Sequence, residues 1–143
     1  MDAMKIVNMI SDERGNIKET IKILTHSMGA AYAKGYIQAL KEYFVENNIP
    51  LNSIAFEMDF APFQPTKQTA VEGVATYQVT NTNDMIANNR LLGSPSGSIK
   101  GATVYFNNDE HKGHSITDFI DQLWRLPTGT YRVDEKGNII REK

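Results

Sequence analysis

A serine between a strand-like run and a run of small residues constrains this chain more than any other feature. The run Ile21 to Leu24 is mostly apolar and rich in β-branched residues, which is typical of a short buried strand. The run Gly29 to Ala33 indicates the start of a helix made of small residues. Ser27 therefore lies on a sharp turn, where its hydroxyl is exposed and the positive end of the helix dipole is near. This position predicts Ser27 as a nucleophile, with the Met28 N–H as a donor to a developing oxyanion.

The rest of the chain alternates between strand-like and helix-like segments. Alternation favours an α/β fold, and we expect a three-layer α/β/α arrangement with a mainly parallel sheet, built by one domain over residues 1–143. The predicted helices cover Ala3 to Ile10, Gly29 to about Asn47, and Ser115 to Leu126. The predicted strands cover Thr20 to Leu24, Ser53 to Met58, Gly73 to Thr80, and Ala102 to Phe106. Residues 130–143 are expected to form a C-terminal hairpin or tail.

A serine hydroxyl needs a base, and three histidines are available for that role. We favour His114, because it precedes Ser115, the first residue of a predicted capping box that would hold it at a defined place. His111 in the same loop ranks lower, as does His26, whose side chain is expected to point away from the serine. His111 and His114 also have the spacing of an H-x-x-H metal pair. Because nothing on a loop makes two rings converge, we predict no metal site.

The base in turn needs a carboxylate that orients its ring, and two aspartates follow predicted strands. Asp84 follows the third strand in a loop of short side chains, and Asp59 follows the second strand directly. We rank Asp84 above Asp59, although either is also explained as an ordinary turn residue. Because the carboxyl ends of parallel strands meet at one edge of a sheet, we expect both aspartates near Ser27 and His114.

Composition excludes several other kinds of function. The chain has no cysteine, which excludes disulfides, cysteine catalysis and thiolate metal sites. Its net charge of -2 gives no basic field, so we expect no nucleic-acid partner. Asp2, Lys5 and Asn8 interrupt the apolar N-terminal segment, so it reads neither as a signal peptide nor as a transmembrane span. A cytoplasmic protein and a protein exported as part of a larger chain both stay open.

The segment Ile21 to Gly35 resembles the G-x-S-x-G nucleophile elbow of lipase- and esterase-like α/β-hydrolases, with Thr25 in place of the first glycine. It is more closely similar to the hydrolase-like C-terminal domains of bacterial Rhs/YD-repeat proteins. The loop Asn81 to Asp84 and the segment His114 to Phe119 lie where that group has its acid and its histidine. The resemblance extends from about Ile21 to Tyr131. It implies a partial α/β-hydrolase fold that begins near the fifth strand of the family's usual sheet.

A fold that begins there has two physical consequences. The second oxyanion donor of such enzymes comes from a loop after an earlier strand, so we expect one donor only, at a cost on the order of a hundredfold in rate. The first strand also loses its neighbour on one side, and an open strand edge is normally covered or paired. We therefore expect an upstream segment of a longer protein, self-association, or the N-terminal helix to cover this edge.

The first hypothesis about function is a serine hydrolase that cleaves a carboxylic ester, either a small molecule or a lipid. It would act through Ser27, His114 and Asp84 and would need no cofactor. Apolar residues expected near the site could contact the acyl chain, although a core role is favoured for some of them; they are Phe60, Phe63, Met85 and Ile86.

The second hypothesis is a hydrolase-derived domain that has lost catalysis. Such a domain would serve as a binding or interaction module of a larger surface or secreted repeat protein. A Ser27 Oγ more than about 5 Å from both His111 and His114 would favour this second hypothesis, because a working pair needs near hydrogen-bond reach.

Overall fold

The structure is a computed structural model of the 143-residue chain, and it describes residues 2–84, 97–107 and 112–143. Its helices are α1 (Ala3–Ile10), α2 (Gly29–Glu46) and α3 (Ile120–Leu123). Short 3-10 turns span Leu51–Ser53, Pro65–Lys67 and Ile116–Phe119. Its strands are β1 (Ile21–His26), β2 (Ile54–Phe60), β3 (Thr76–Asn81), β4 (Thr103–Asn107), β5 (Tyr131–Val133) and β6 (Ile139–Arg141).

Strands β1 to β4 form one parallel sheet in the order β1-β2-β3-β4. The sheet and the helix α2, which connects β1 to β2, confirm the predicted α/β class. Because the four strands are parallel, their carboxyl ends lie at one edge of the sheet. The segments that follow the strands therefore start from that same edge.

Strands β1 and β2 each run two residues further than predicted. Thr25 and His26 belong to β1, because they pair with Asp59 and Phe60 of β2. The expectation that Asp59 follows its strand is therefore wrong, since it is the penultimate residue of β2. Aspartate is uncommon in strands, which is why the pattern predicted an earlier end. Here the pairing with Thr25 of β1 and the ion pair with Lys34 outweigh the low strand propensity of aspartate.

Helices α1 and α2 pack on one face of the sheet. Successive strand residues point to opposite faces, so Ile21 and Ile23 of β1 share this face with Thr25. Helix α2 contributes the buried side chains of Ile37, Leu40 and Phe44, and α1 adds Ala3, Ile6 and Val7 around them. This cluster is the largest apolar core of the described residues, and it fixes α2 against β1, the strand that ends just before Ser27.

The opposite face of the sheet is covered by short elements. The Phe119 ring lies 5.2 Å from the Phe60 ring, measured between centroids. The antiparallel hairpin of β5 and β6 covers the other part of this face, where Tyr131 contacts Phe56 edge-on. The predicted C-terminal hairpin is therefore confirmed, whereas a three-layer α/β/α arrangement is not, because this face carries a hairpin and two short helical segments.

The long helix predicted from Ser115 to Leu126 is wrong in its length. A 3-10 turn over Ile116–Phe119 leads into the single-turn helix α3. The predicted capping box forms only in part: Ser115 is the N-cap and its Oγ accepts the Thr117 N–H at 3.3 Å, but Asp118 accepts the N–H of Gly113 instead of that of Ser115. The 3-10 turn is tighter than an α-helix, and within it Phe119 packs against β2.

Helix α2 ends at Glu46, one residue before the predicted end, and Asn48 just beyond it has a left-handed backbone conformation. Asn48 has a φ angle of 53°, the Ile49 N–H donates to Phe44 O at 2.8 Å, and the Asn48 N–H donates to Val45 O at 3.3 Å. These two hydrogen bonds form a Schellman motif, which satisfies carbonyl groups that the end of the helix would otherwise leave open.

The outer edge of β1 has no strand partner within residues 2–84, 97–107 and 112–143. The predicted cover for this edge, whether an upstream segment, a second copy or the N-terminal helix, stays a prediction. Among the helices that the structure describes, none is long and apolar enough to span a bilayer.

Candidate active site

Ser27 lies directly after β1, on a turn with a strained backbone. Its φ angle is 54°, in the left-handed region that residues other than glycine rarely adopt. The Ser27 N–H donates to Phe60 O at 3.1 Å, and the Ser27 carbonyl accepts the Phe63 N–H at 3.1 Å. The end of β2 and the loop after it therefore hold Ser27 in this conformation.

The structure brings Ser27, His114 and Asp84 into one hydrogen-bonded chain. Ser27 Oγ lies 2.8 Å from His114 Nε2, and His114 Nδ1 lies 2.8 Å from Asp84 Oδ2. An ionised carboxylate only accepts, so Nδ1 carries the ring proton and Nε2 accepts from the serine hydroxyl. The Asp84 side chain is fully buried, whereas the His114 ring is partly exposed. Burial protects the attraction between carboxylate and imidazole from screening by salt.

The loop that carries His114 is anchored through Gly113. The Asn81 Nδ2 group donates to Gly113 O at 2.7 Å, and the Gly113 N–H donates to Asp118 Oδ2 at 3.0 Å. Asn81 is the last residue of β3 and is fully buried. Sequence reasoning missed this role. The one signal for it is the position of Asn81 at a strand end, three residues before Asp84.

His26 holds the same loop from the other side and is not placed as the base. Its Nε2 lies 2.6 Å from the carbonyl oxygen of His114, and the two rings are 5.0 Å apart between centroids. Because a carbonyl only accepts, Nε2 of His26 carries a proton and donates it. The ring faces His114 because His26 lies on the face of β1 opposite to Thr25.

Asp59 is excluded as the acid that orients His114, which corrects the alternative assignment. Its Oδ2 lies 2.6 Å from Lys34 Nζ, and its Oδ1 accepts the Thr25 hydroxyl at 2.5 Å. The physical reason is strand alternation: Asp59 faces α2, whereas Phe60 and His26 face the loop of His114. Lys34 also pairs with Glu57 Oε1 at 2.7 Å, on the same face of β2.

Glu57 is the group whose titration this cluster changes most. Burial first, and the neighbouring Asp59 charge second, raise the pKa of its carboxyl from 4.5 to about 7 against the opposing effect of Lys34. Both carboxylates are fully buried, and the ammonium group of Lys34 is nearly so.

The structure describes some of the remaining predicted site residues and not others. Met28 begins the turn into α2, and its side chain is 56 % exposed. Phe63 is 37 % exposed, whereas Phe60 is fully buried and has the core role that was the alternative to an acyl contact. His111, Met85 and Ile86 lie outside the described residues. Within the described ranges, no group of three His, Asp or Glu side chains is arranged to hold a metal ion.

Comparison with known proteins gives this chain no family. No family model, no curated protein and no solved structure matches it. The resemblance to α/β-hydrolases and to the tips of Rhs/YD-repeat proteins therefore stays a prediction. The function is argued from the side chains around Ser27.

Proposed function

We propose that the chain is a serine hydrolase that cleaves carboxylic esters through Ser27, His114 and Asp84. The observation that supports this proposal is the chain of two 2.8 Å hydrogen bonds that joins the three side chains. The first bond aligns a base with a nucleophile, and the second sets the tautomer of that base.

Acylation follows from these contacts. The Ser27 hydroxyl attacks the ester carbonyl carbon while its proton passes to His114 Nε2. Asp84 stabilises the imidazolium that results, because its buried carboxylate lies against the Nδ1–H. The tetrahedral intermediate then expels the alcohol, which takes the proton from Nε2, and an acyl-serine is left.

Deacylation repeats the same proton path with water. His114 Nε2 accepts a proton from the attacking water and returns it to Ser27 Oγ when the acyl–oxygen bond breaks. The products are a carboxylic acid and the free serine. No step needs a cofactor.

The Met28 N–H is the oxyanion donor in this proposal, since it follows the nucleophile directly and lies at the start of α2. The first N–H groups of a helix have no intrahelical acceptor and carry the positive end of its dipole. With one assigned donor, we expect a rate on the order of a hundredfold below that of a site with two. The exposed side chains of Met28 and Phe63 supply apolar surface beside Ser27 for the substrate.

We also propose that the sheet is the C-terminal half of a lipase- or esterase-like α/β-hydrolase fold, of the kind carried by Rhs/YD-repeat proteins. The order of the chain supports it, because Ser27, Asp84 and His114 follow β1, β3 and β4 of a parallel sheet. The alternative of an inactive binding module has less support. Its criterion was a separation above about 5 Å, and Ser27 Oγ lies 2.8 Å from His114 Nε2.

Labelling with a fluorophosphonate probe tests the proposed function. We expect the intact chain to be labelled at Ser27, and Ser27→Ala to lose all labelling. Asp84→Asn should lower the rate by about a thousandfold or more, because His114 then adopts the wrong tautomer. Ser98→Ala, at an exposed serine away from the site, is the matched control and should label like the wild type.

Hydrolysis of p-nitrophenyl esters of increasing acyl length then identifies the substrate class. Labelling that persists in Ser27→Ala would contradict the proposed nucleophile. A folded wild-type chain that neither reacts with the probe nor hydrolyses any ester would favour the binding module.

A further inference from the structure

A buried polar cluster lies beside the turn that carries Ser27. It consists of Thr25, Lys34, Glu57 and Asp59, and it joins β1, α2 and β2. We propose that Lys34, Asp59 and Thr25 are positioning residues, which hold the turn between β1 and α2 in the conformation that presents Ser27 to His114. The inference rests on the proposed function of Ser27 and adds to it the residues that keep the nucleophile in place.

Two consecutive residue pairs between β1 and β2 connect the cluster to Ser27. Thr25 pairs with Asp59 across β1 and β2, and their side chains are joined by the 2.5 Å hydrogen bond. The next pair is His26 with Phe60, and the carbonyl of Phe60 accepts the Ser27 N–H. A shift at the Thr25–Asp59 contact is therefore passed directly to the hydrogen bond that fixes the backbone of Ser27.

Lys34 connects helix α2 to the same residues. It lies in the second turn of α2, and its ammonium group bonds to Asp59 at 2.6 Å. The side chain of Thr25 also packs beside Gly29, since a Cβ at Gly29 would lie 3.9 Å from the Thr25 Cβ. The Lys34–Asp59 ion pair and the Thr25 hydroxyl therefore connect the three segments that meet at Ser27, namely the end of β1, the start of α2 and the end of β2.

Stability alone is a poor explanation for these residues. Replacing a buried ion pair by apolar side chains of similar size is often neutral or stabilising, so the charges bring little net stability to a core. The charged groups do fix the orientation of their side chains, because each carboxylate oxygen must lie within hydrogen-bond distance of its donor. A left-handed φ angle at a serine persists only where the surroundings determine it, and this cluster is part of those surroundings.

Thr25→Val is the variant that tests the positioning role. Replacing Lys34 would leave two buried carboxylates without a counter-ion and risk unfolding the chain, whereas valine keeps the shape of threonine and removes only the hydroxyl. Thr25→Ser restores a hydroxyl and serves as the rescue. Thr76→Val is the matched control, because it removes a buried strand hydroxyl on the Glu57 side of the same cluster, away from the turn.

Two readouts are measured on the four proteins. The first is amide hydrogen exchange at Ser27 by NMR, referenced to the buried Leu40 amide, and it needs no activity. The second is the second-order rate constant of fluorophosphonate labelling at Ser27. In Thr25→Val we expect about tenfold faster relative exchange at Ser27 and about tenfold slower labelling, the size of a lost hydrogen bond to a charged group. Thr25→Ser and Thr76→Val should stay within about threefold of the wild type in both.

The two readouts separate the possible failures. Equal effects of Thr25→Val and Thr76→Val would overturn the positioning role in favour of a general loss of stability. Unchanged exchange and labelling in Thr25→Val would overturn it as well, while the labelled wild type would still support the hydrolase. Faster exchange in Thr25→Val with a wild type that never reacts would support the positioning of the turn and contradict the proposed function.

Discussion

His26 and His114, the histidines that the structure describes, have different contacts, although both lie near Ser27. His114 offers Nε2 to the serine, whereas His26 donates its own Nε2–H to the backbone carbonyl of His114. A base acts on a serine only within hydrogen-bond reach, so the position of its loop matters as much as its protonation. His26 therefore limits how far the His114 ring moves away from the nucleophile.

His26→Phe should lower kcat for ester hydrolysis by about tenfold with little change in KM, because a ring remains but the donor to His114 is lost. Steady-state kinetics on one p-nitrophenyl ester measure this. His26→Gln is the control, since its amide N–H can replace the donor, and we expect it to keep most of the activity. An unchanged kcat in His26→Phe would show that the other anchors of the loop suffice.

The sequence predicted that Ser27, Asp84 and His114 come together, but it did not predict the residues that support them. Ser27, Asp84 and His114 each follow a strand at one edge of the sheet, and strand order alone predicts that they meet. Asp59 was a candidate acid because β2 was expected to end before it. Two more strand residues place it inside the sheet, and alternation turns it toward Lys34. Contacts of that kind depend on register, which no local pattern contains.

The C-terminal end of α2 depends on a single left-handed residue. Asn48 adopts a φ angle of 53°, which asparagine tolerates better than most residues and glycine adopts without cost. The Schellman hydrogen bonds from Asn48 and Ile49 need this conformation.

Asn48→Gly should therefore stabilise the protein by several tenths of a kcal/mol, and Asn48→Ala should destabilise it by about 1 kcal/mol. Urea unfolding followed by circular dichroism measures both. Asn52→Ala, an exposed asparagine in the following 3-10 turn, is the control and should change little. Stability that is the same for glycine and alanine at position 48 would refute the dependence on φ.

Helix ends marked by backbone chemistry were predicted well, and helix length after Ser115 was not. Residues 47–50 contain asparagine and proline, which stop a helix for reasons that are local in the chain. After Ser115, the apolar spacing fits an α-helix, but Asp118 bonds back to Gly113 and the chain tightens into a 3-10 turn. Asn81 of β3 holds Gly113, and Phe119 packs against Phe60 of β2, so tertiary contacts decide the local structure here.

Buried charge makes the stability of the whole molecule depend on pH. The charged groups that face Glu57 from the elements packed against it are Asp59 and Lys34, and the Thr76 hydroxyl lies 3.4 Å away. The pKa of Glu57 is about 7 in the folded chain and 4.5 without the fold. Between these values the folded state keeps a proton that the unfolded state has released. The free energy of unfolding therefore falls as pH rises from 4.5 to about 7 and is level above that range.

Glu57→Gln should remove this contribution, which is on the order of 3 kcal/mol. Urea unfolding of wild type and variant at intervals from pH 5 to pH 8 measures it. We expect the variant to gain stability relative to the wild type as pH rises. Glu72→Gln, at an exposed glutamate, is the control and should give a difference that does not vary with pH. A pH-independent difference for Glu57→Gln as well would contradict the raised pKa.

The three side chains of the proposed catalytic site are far apart along the chain. His114 is 87 residues from Ser27 and 30 from Asp84, and three parallel strand pairings lie between the first and the last. Parallel pairings close long loops and form slowly. In a partly folded chain in which only β1 and β2 have paired, Ser27 is therefore in place but His114 is not yet beside it. In a refolding chain, reactivity of Ser27 would return only when the last strand is in place, so the same serine reports the completion of folding.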